Sequence, residues 1–231
     1  MIVLFNNLIY NATISADTVD SSYPVTNLQN DEPSKIYKAN QASAVITLTL
    51  ADTSTINCLY LANTNATSAS LGLYDSSDTL LDTQTIDVDR CGACFTSITD
   101  VSYMILTLSG SDTIYLGCIG TGAKYQMPDP LNDVIPKPID NTVRNISDSG
   151  VGFFNRVPIQ VSISTNFANI SRTLYNEIFN LWAALEHPVW VDVREDYNGI
   201  IDPMFADMTM DKTPTHKYKR DSMTFNFQEM K

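Results

Sequence analysis

In the segment Ala44-Val-Ile-Thr-Leu-Thr-Leu50, Ile46, Leu48 and Leu50 fall at alternate positions, with Thr47 and Thr49 between them. A period of two, carried by β-branched residues, is the mark of a half-buried strand; a helix would repeat its apolar face every three to four residues. Ile56–Leu61 and Tyr103–Leu108 are apolar on both faces, as the central strands of a packed sandwich are. Ser68–Tyr74 and Thr113–Cys118 complete the set, and Asp75–Asp78, Asp87–Asp89 and Ser109–Asp112 supply turn chemistry between strands. No helical periodicity of useful length interrupts residues 1 to about 120. The pattern predicts a mainly β fold that opens with a β-sandwich (jelly roll) over 1–120.

Residues 121–155 change character. Pro128, Pro130, Pro136 and Pro138 fall close together, with Gly122, Gly150 and Gly152. Proline lacks the amide a sheet interior or helix needs, so this stretch is expected to be an extended linker or arm.

Residues 156–231 have the rhythm of a small α+β domain. Val157, Ile159, Val161 and Ile163 alternate with polar residues or Pro158, which points to an edge strand. Ile170, Leu174, Ile178, Leu181 and Leu185 then form one helical stripe, with Asn169 or Ser171 available as N-cap and Pro188 as terminator. Val189–Val193 follows as a strand and Asp196–Gly199 as a turn. The last strand, Asp221–Gln228, should bury Met223, Phe225 and Phe227. The helix is expected to cover one face of this sheet.

Charge narrows the function. The formal net charge of −12 repels phosphate backbones, and Lys217, Lys219 and Arg220 beside Asp221 read as a solvated strand face, so no nucleic-acid partner is expected. No run approaches the roughly 20 apolar residues of a membrane helix, and Met1–Asn7 lacks the basic start of a signal peptide. Synthesis in a reducing cytosol is the expectation, in which the four sequons at Asn11, Asn65, Asn145 and Asn169 carry no meaning.

The four cysteines follow the same logic. Cys91-Gly-Ala-Cys94 has the spacing of half a zinc site or of a redox pair. Cys58 and Cys118, the remaining ligands a zinc would need, sit inside apolar strand-like runs. A redox motif should open a helix, and this region is β throughout. All four are read as structural thiols.

A catalytic constellation is missing. Of the two histidines, His187 sits at the expected helix end and His216 in a turn. There is no nucleophile elbow, phosphate loop, dinucleotide fingerprint or His-Glu-x-x-His. Asp82, Asp87 and Asp89 cluster around a β-turn, and Asp192, Glu195 and Asp196 around the Trp190 strand; a glycosidase pair needs two carboxylates held across a sugar-sized cleft, whereas runs like these among 26 acidic residues read as solvated turns, and for calcium the 12-residue Asp-rich loop is missing. Neither an enzyme nor a cofactor is expected.

Ser22-Tyr-Pro-Val-Thr-Asn-Leu28, followed by Lys35-Ile-Tyr-Lys38, the strand Ala44–Leu50 and the Asn-rich end of Ile56–Asn65, resembles the opening of galactose-binding-like jelly-roll domains in tailed-bacteriophage virion proteins. The helix before Pro188-Val-Trp-Val-Asp192, the Tyr-Asn-Gly-Ile turn at 197–200 and a closing strand ending near Glu229 are similar to the C-terminal part of phage tail and baseplate proteins. The resemblance implies a structural protein of the tail tip, baseplate or neck, made in the bacterial host cytoplasm and carried in the virion. Its partners would be other phage tail proteins and copies of itself. The alternative is a carbohydrate-binding module that attaches the particle to host glycan. Phe153, Phe154, Trp190 and Tyr197 are the expected interface residues, because large aromatics dominate interface energy; Trp182 adjoins the apolar helix stripe and reads as core, and core is the alternative for Trp190.

Overall fold

The computed structural model describes residues 1–128, 130, 135–140, 143–146, 152–155, 160–193, 203–210 and 220–230. Tyr197, Pro158, Glu195, the 196–199 turn, His216, Lys217 and Lys219 lie outside the described residues. Among the described residues the chain is mainly β with one α-helix, and it divides into two compact units, Met1–Met127 with Leu185–Phe205, and Pro128–Ala184 with Ala206–Lys231.

The first unit holds β1 (Ile2–Leu4), β2 (Thr13–Ala16), β3 (Tyr37–Lys38), β4 (Ser43–Thr64), β5 (Ser68–Tyr74), β6 (Leu80–Ile86), β7 (Gly92–Ser109), β8 (Tyr115–Gly122) and β9 (Tyr125–Gln126). Its main sheet runs β3-β8-β4-β7-β5-β6, with β2 paired to β4, and every pairing is antiparallel. The expected strands 44–50 and 56–61 are two halves of one strand, β4. Register shifts against β7 fall between Thr49 and Ser54, Ser54 and Ile56, and Ile56 and Cys58. Bulges at such corners let one strand serve two layers of a sandwich. The first half of β4 pairs with 103–109 of β7, and the second half with 92–98 and with β8. Asp100, at φ 60°, sits at the matching bend of β7.

One core fills the space between the layers, with Ile46, Leu48, Leu71, Leu106, Leu59 and Leu116 all fully buried. The Tyr-Pro segment closes one side of it. Val25–Gln29 forms a 3-10 turn that buries Leu28, while the Gln29 amide donates to the carbonyls of Ile9 and Ala12, each at 2.7 Å. The Asn-rich end of β4 is also used internally: Asn65 donates to Thr113 O at 2.9 Å and accepts from the Tyr115 amide at 2.9 Å.

A second layer of burial lies on the outer side of β4 and β8. The strand Val189–Asp192, expected in the C-terminal domain, belongs to this unit and pairs antiparallel with β1, Leu4 opposite Trp190 and Ile2 opposite Asp192. Ile2–Leu4 and residues 189–191 are apolar on both faces, so each needs cover on two sides, and all four residues of 189–192 are buried.

The second unit adds β10 (Ile135–Ile139), β11 (Val143–Ile146), β12 (Gly152–Asn155), β13 (Gln160–Ser171), α1 (Arg172–Ala183), β15 (Met204–Met210) and β16 (Arg220–Glu229), with Val189–Asp192 numbered β14. Its strands run β10-β13-β16-β15, and β11 pairs with β12 as a separate two-stranded ribbon. The stretch expected as an extended linker therefore contains the end of β8 and the four strands β9, β10, β11 and β12. Among the described residues β10 ends the sheet path and pairs with β13, with Pro136 opposite Ile163 and Pro138 opposite Val161. The Val161 amide donates to Glu229 on the β16 side, so Val161 and Pro138 are not a hydrogen-bonded pair; the spacing of two then aims both missing amides away from β13, where no ladder bond is lost.

β13 runs straight into α1, and Ser171 is the N-cap, its hydroxyl accepting from the Leu174 amide at 3.2 Å. The helix is shorter than the apolar stripe suggested. Ile170 is buried as the end of the strand, Leu185 lies beyond the C-cap, and the helix buries Tyr175 and Ile178. Met223, Phe225 and Phe227 on β16 point into the core as the alternation required. Trp182 is half-buried and its indole N–H donates to Met208 O at 3.3 Å.

Candidate functional site

Strand alternation decides which side chains of the sandwich face outward. Leu71 and Leu73 of β5 and Met104 and Leu106 of β7 are fully buried, so Gly72, Tyr74, Tyr103 and Ile105 take the opposite face. Tyr74 and Tyr103 are direct cross-strand partners. Their rings stack with centroids 4.8 Å apart and planes within 3° of parallel, and both remain partly exposed. Gly72 makes room for this arrangement: a Cβ there would stand 2.9 Å from Tyr74 Cε2.

The turn after β5 brings carboxylates to the pair. Asp75 Oδ1 accepts from the amides of Ser77 and Thr79, each at 2.8 Å, and Asp78 takes the left-handed conformation at φ 62°. This is an Asx-type turn, which the residues Asp75-Ser-Ser-Asp78 announce in the sequence. The Thr79 and Ser77 amides hold the Asp75 carboxyl below its ordinary range. Asp75 is therefore an ion and an acceptor, the reverse of the raised carboxyl a glycosidase acid requires. Desolvation, followed by a hydrogen bond to Asp78, pushes the Tyr103 phenol above its usual range. Beside the pair, Leu80, opposite Tyr74, is 50% exposed. Aromatic and aliphatic carbon thus adjoins carboxylates and a phenol hydroxyl on one solvent-facing surface.

Trp190 is fully buried, its ring stacked on Tyr60 at 5.5 Å between centroids, and so contributes to the core rather than to an exposed face. Phe153 and Phe154 lie in β12, opposite Asn145 and Arg144 of β11. Tyr197 lies outside the described residues. Asp82 accepts from the Thr83 amide and the Gln84 side chain, Asp87 accepts from the Arg90 amide, and Asp192 is buried. Among the described residues no group of three or more His, Cys, Asp or Glu side chains could hold a metal ion.

His187 is not a helix-end residue, since α1 ends at Ala183. Its Nδ1 lies 3.1 Å from Asp31 Oδ2, and its ring stacks on Tyr10 with centroids 3.8 Å apart. Burial, reinforced by Asp31, raises the Tyr10 phenol far above its ordinary range. The arrangement clamps the 185–193 segment onto the N-terminal turns.

No protein-family model matches the chain, and no curated protein matches it. Among solved structures, the lectin domain of lectinolysin complexed with Lewis B antigen is similar at a TM-score of 0.44 and 13% identity, covering 50% of this chain and 95% of that one. A chitosan-binding module from a chitosanase/glucanase of Paenibacillus sp. IK-5 gives 0.43 and 15%, covering 51% and 99%. A pectin-binding carbohydrate-binding module gives 0.38 and 15%, covering 48% and 89%.

Proposed function

We propose that the chain is a non-catalytic carbohydrate-binding protein whose sandwich takes a saccharide on the outward face of β5 and β7. The observation that carries this reading is the stacked, partly exposed pair Tyr74 and Tyr103 beside the Asp75–Asp78 turn. A saccharide has C–H faces that pack on aromatic carbon and hydroxyls that bond to carboxylates, and this surface offers both within one strand pair. Nothing in it supplies a general acid, so binding without cleavage is the chemistry it supports. The test is binding of the intact chain to an array of immobilised oligosaccharides. Retention of a defined glycan supports the reading, and failure to retain any overturns it.

A second reading concerns where such a protein works. The Ser22–Leu28 and Pro188–Asp192 patterns favour a component of a tailed-phage particle, in the tail tip, baseplate or neck, with other tail proteins and copies of itself as partners. The two readings are compatible, because attachment to a host surface needs a glycan-binding part carried on the virion. Mass spectrometry of purified particles tests this one: the chain at fixed stoichiometry supports it, and its absence overturns it.

A further inference from the structure

Cys58 and Cys94 face one another across β4 and β7. The register pairs Cys58 with Cys94, Leu59 with Ala93 and Tyr60 with Gly92. The Leu61 amide donates to the Cys91 carbonyl at 2.9 Å. A bond from the residue after Tyr60 to the residue before Gly92 defines Tyr60 and Gly92 as a non-hydrogen-bonded pair. Cys58 and Cys94, two residues along both strands, form the same kind of pair. Such Cα atoms stand about 4.5 Å apart with side chains on one face, within the range of about 4.4–6.8 Å that a disulfide bridges. All four cysteines are thiols in this structure.

The surroundings distinguish the two sulfurs. Cys58 is fully buried and its thiol donates to Gly122 O at 3.4 Å. Cys94 is partly exposed, and its Sγ lies 3.0 Å from the Tyr60 hydroxyl, which donates to Asp192 Oδ2 at 3.3 Å. A phenol has one hydrogen and a carboxylate only accepts, so the Cys94 S–H is the donor to the Tyr60 oxygen. The Cys94 proton has a path through Tyr60 to Asp192.

We infer that Cys58 and Cys94 are a redox modification site, closing to a reversible cross-strand disulfide when the protein meets a hydroperoxide. The Cys94 thiol passes its proton along Tyr60 to Asp192, and its sulfur takes the terminal hydroxyl of the hydroperoxide. The O–O bond breaks, and the departing alkoxide recovers that proton to leave as alcohol. Cys94 is then a sulfenic acid. The Cys58 sulfur displaces its hydroxyl, which leaves as water with the Cys58 proton. Two thiols are oxidised to one disulfide and one hydroperoxide is reduced. The Cys91-Gly-Ala-Cys94 spacing is not the partner set: three residues of extended chain separate its ends by about 10 Å, beyond the reach of a disulfide.

The experiment treats the intact protein with tert-butyl hydroperoxide, blocks remaining thiols with iodoacetamide in denaturant, and maps digested peptides by mass spectrometry. The expected product joins the peptides of Cys58 and Cys94 and is lost on reduction with dithiothreitol. It persists in Cys91→Ser and disappears in Cys94→Ser. Tyr60→Phe, checked by circular dichroism for an intact fold, should form it several-fold more slowly. A bridge between Cys91 and Cys94, or Cys94 sulfinic acid without any bridge, would overturn the assignment. An unchanged rate in a folded Tyr60→Phe variant would overturn the proton path.

Discussion

The indole of Trp190 lies where Gly120 has no side chain: a Cβ on Gly120 would stand 2.3 Å from both Trp190 Cδ1 and Nε1. Gly120 is opposite Tyr60 in the pairing of β4 with β8, and Trp190 also stacks on Tyr60. The 189–192 strand is thereby seated on the outer side of the sandwich through one glycine. Gly120→Ala should force the indole away and destabilise the protein by about 1–3 kcal/mol, the cost of overpacking a filled site. A lowered urea midpoint with an unchanged slope is the expected measurement.

Ser171 makes a single well-defined contribution to the second unit, by accepting from the Leu174 amide at the start of α1. Ser171→Ala should cost about 1 kcal/mol, whereas Ser171→Asp should retain the cap and lose little. Thermal unfolding of the two variants beside the parent separates these outcomes.

The Asp75 turn gives an acid-side dependence. Hydrogen bonds from the Thr79 and Ser77 amides lower the folded-state pKa of Asp75. A depressed carboxyl contributes stability that is present above the unfolded value of about 4 and is lost as pH falls through the folded one. Asp75→Asn keeps an oxygen to accept both amides but does not titrate. The parent should therefore lose stability relative to Asp75→Asn between about pH 4 and pH 2, as read from denaturation midpoints across that window.

Thiol labelling separates the cysteines by environment. Burial raises Cys58 above the thiol range and pushes Cys118 up to about 12. The thiolate is the reactive form. In the native protein iodoacetamide should therefore label Cys91 and Cys94 well before Cys58 and Cys118, and peptide mapping over a time course reads the order.

Much of this fold was legible in local patterns. Ile46, Leu48 and Leu50 gave their strand and its inward face, and Met223, Phe225 and Phe227 gave theirs, because alternation records burial residue by residue. The unity of β4 was not legible. Its bend at 49–58 is a matter of register against β7, and register is written in the partner strand as much as in the strand itself. The partnership of Val189–Asp192 with Ile2–Leu4 was hidden for the same reason, since nothing local says which strand a mostly apolar segment will join.

The candidate site was half legible. Asp75–Asp78 reads as a turn, and Gly72 two residues before Tyr74 hints at a ring needing space. That Tyr74 meets Tyr103 depends on a strand pairing between distant segments. The interface aromatics chosen for size alone include Trp190, and size does not distinguish a core residue from a contact residue.

Saccharide binding at Tyr74 and Tyr103 is tested most simply by a calorimetric titration of the parent and of Tyr74→Ala and Tyr103→Ala with the oligosaccharide best retained on an array. Both side chains are partly exposed, so their removal should leave the far-ultraviolet circular dichroism unchanged. The parent should bind saturably, with at least a tenfold loss in each folded variant, the equivalent of about 1.4 kcal/mol. Equal affinity in the parent and both variants would contradict it.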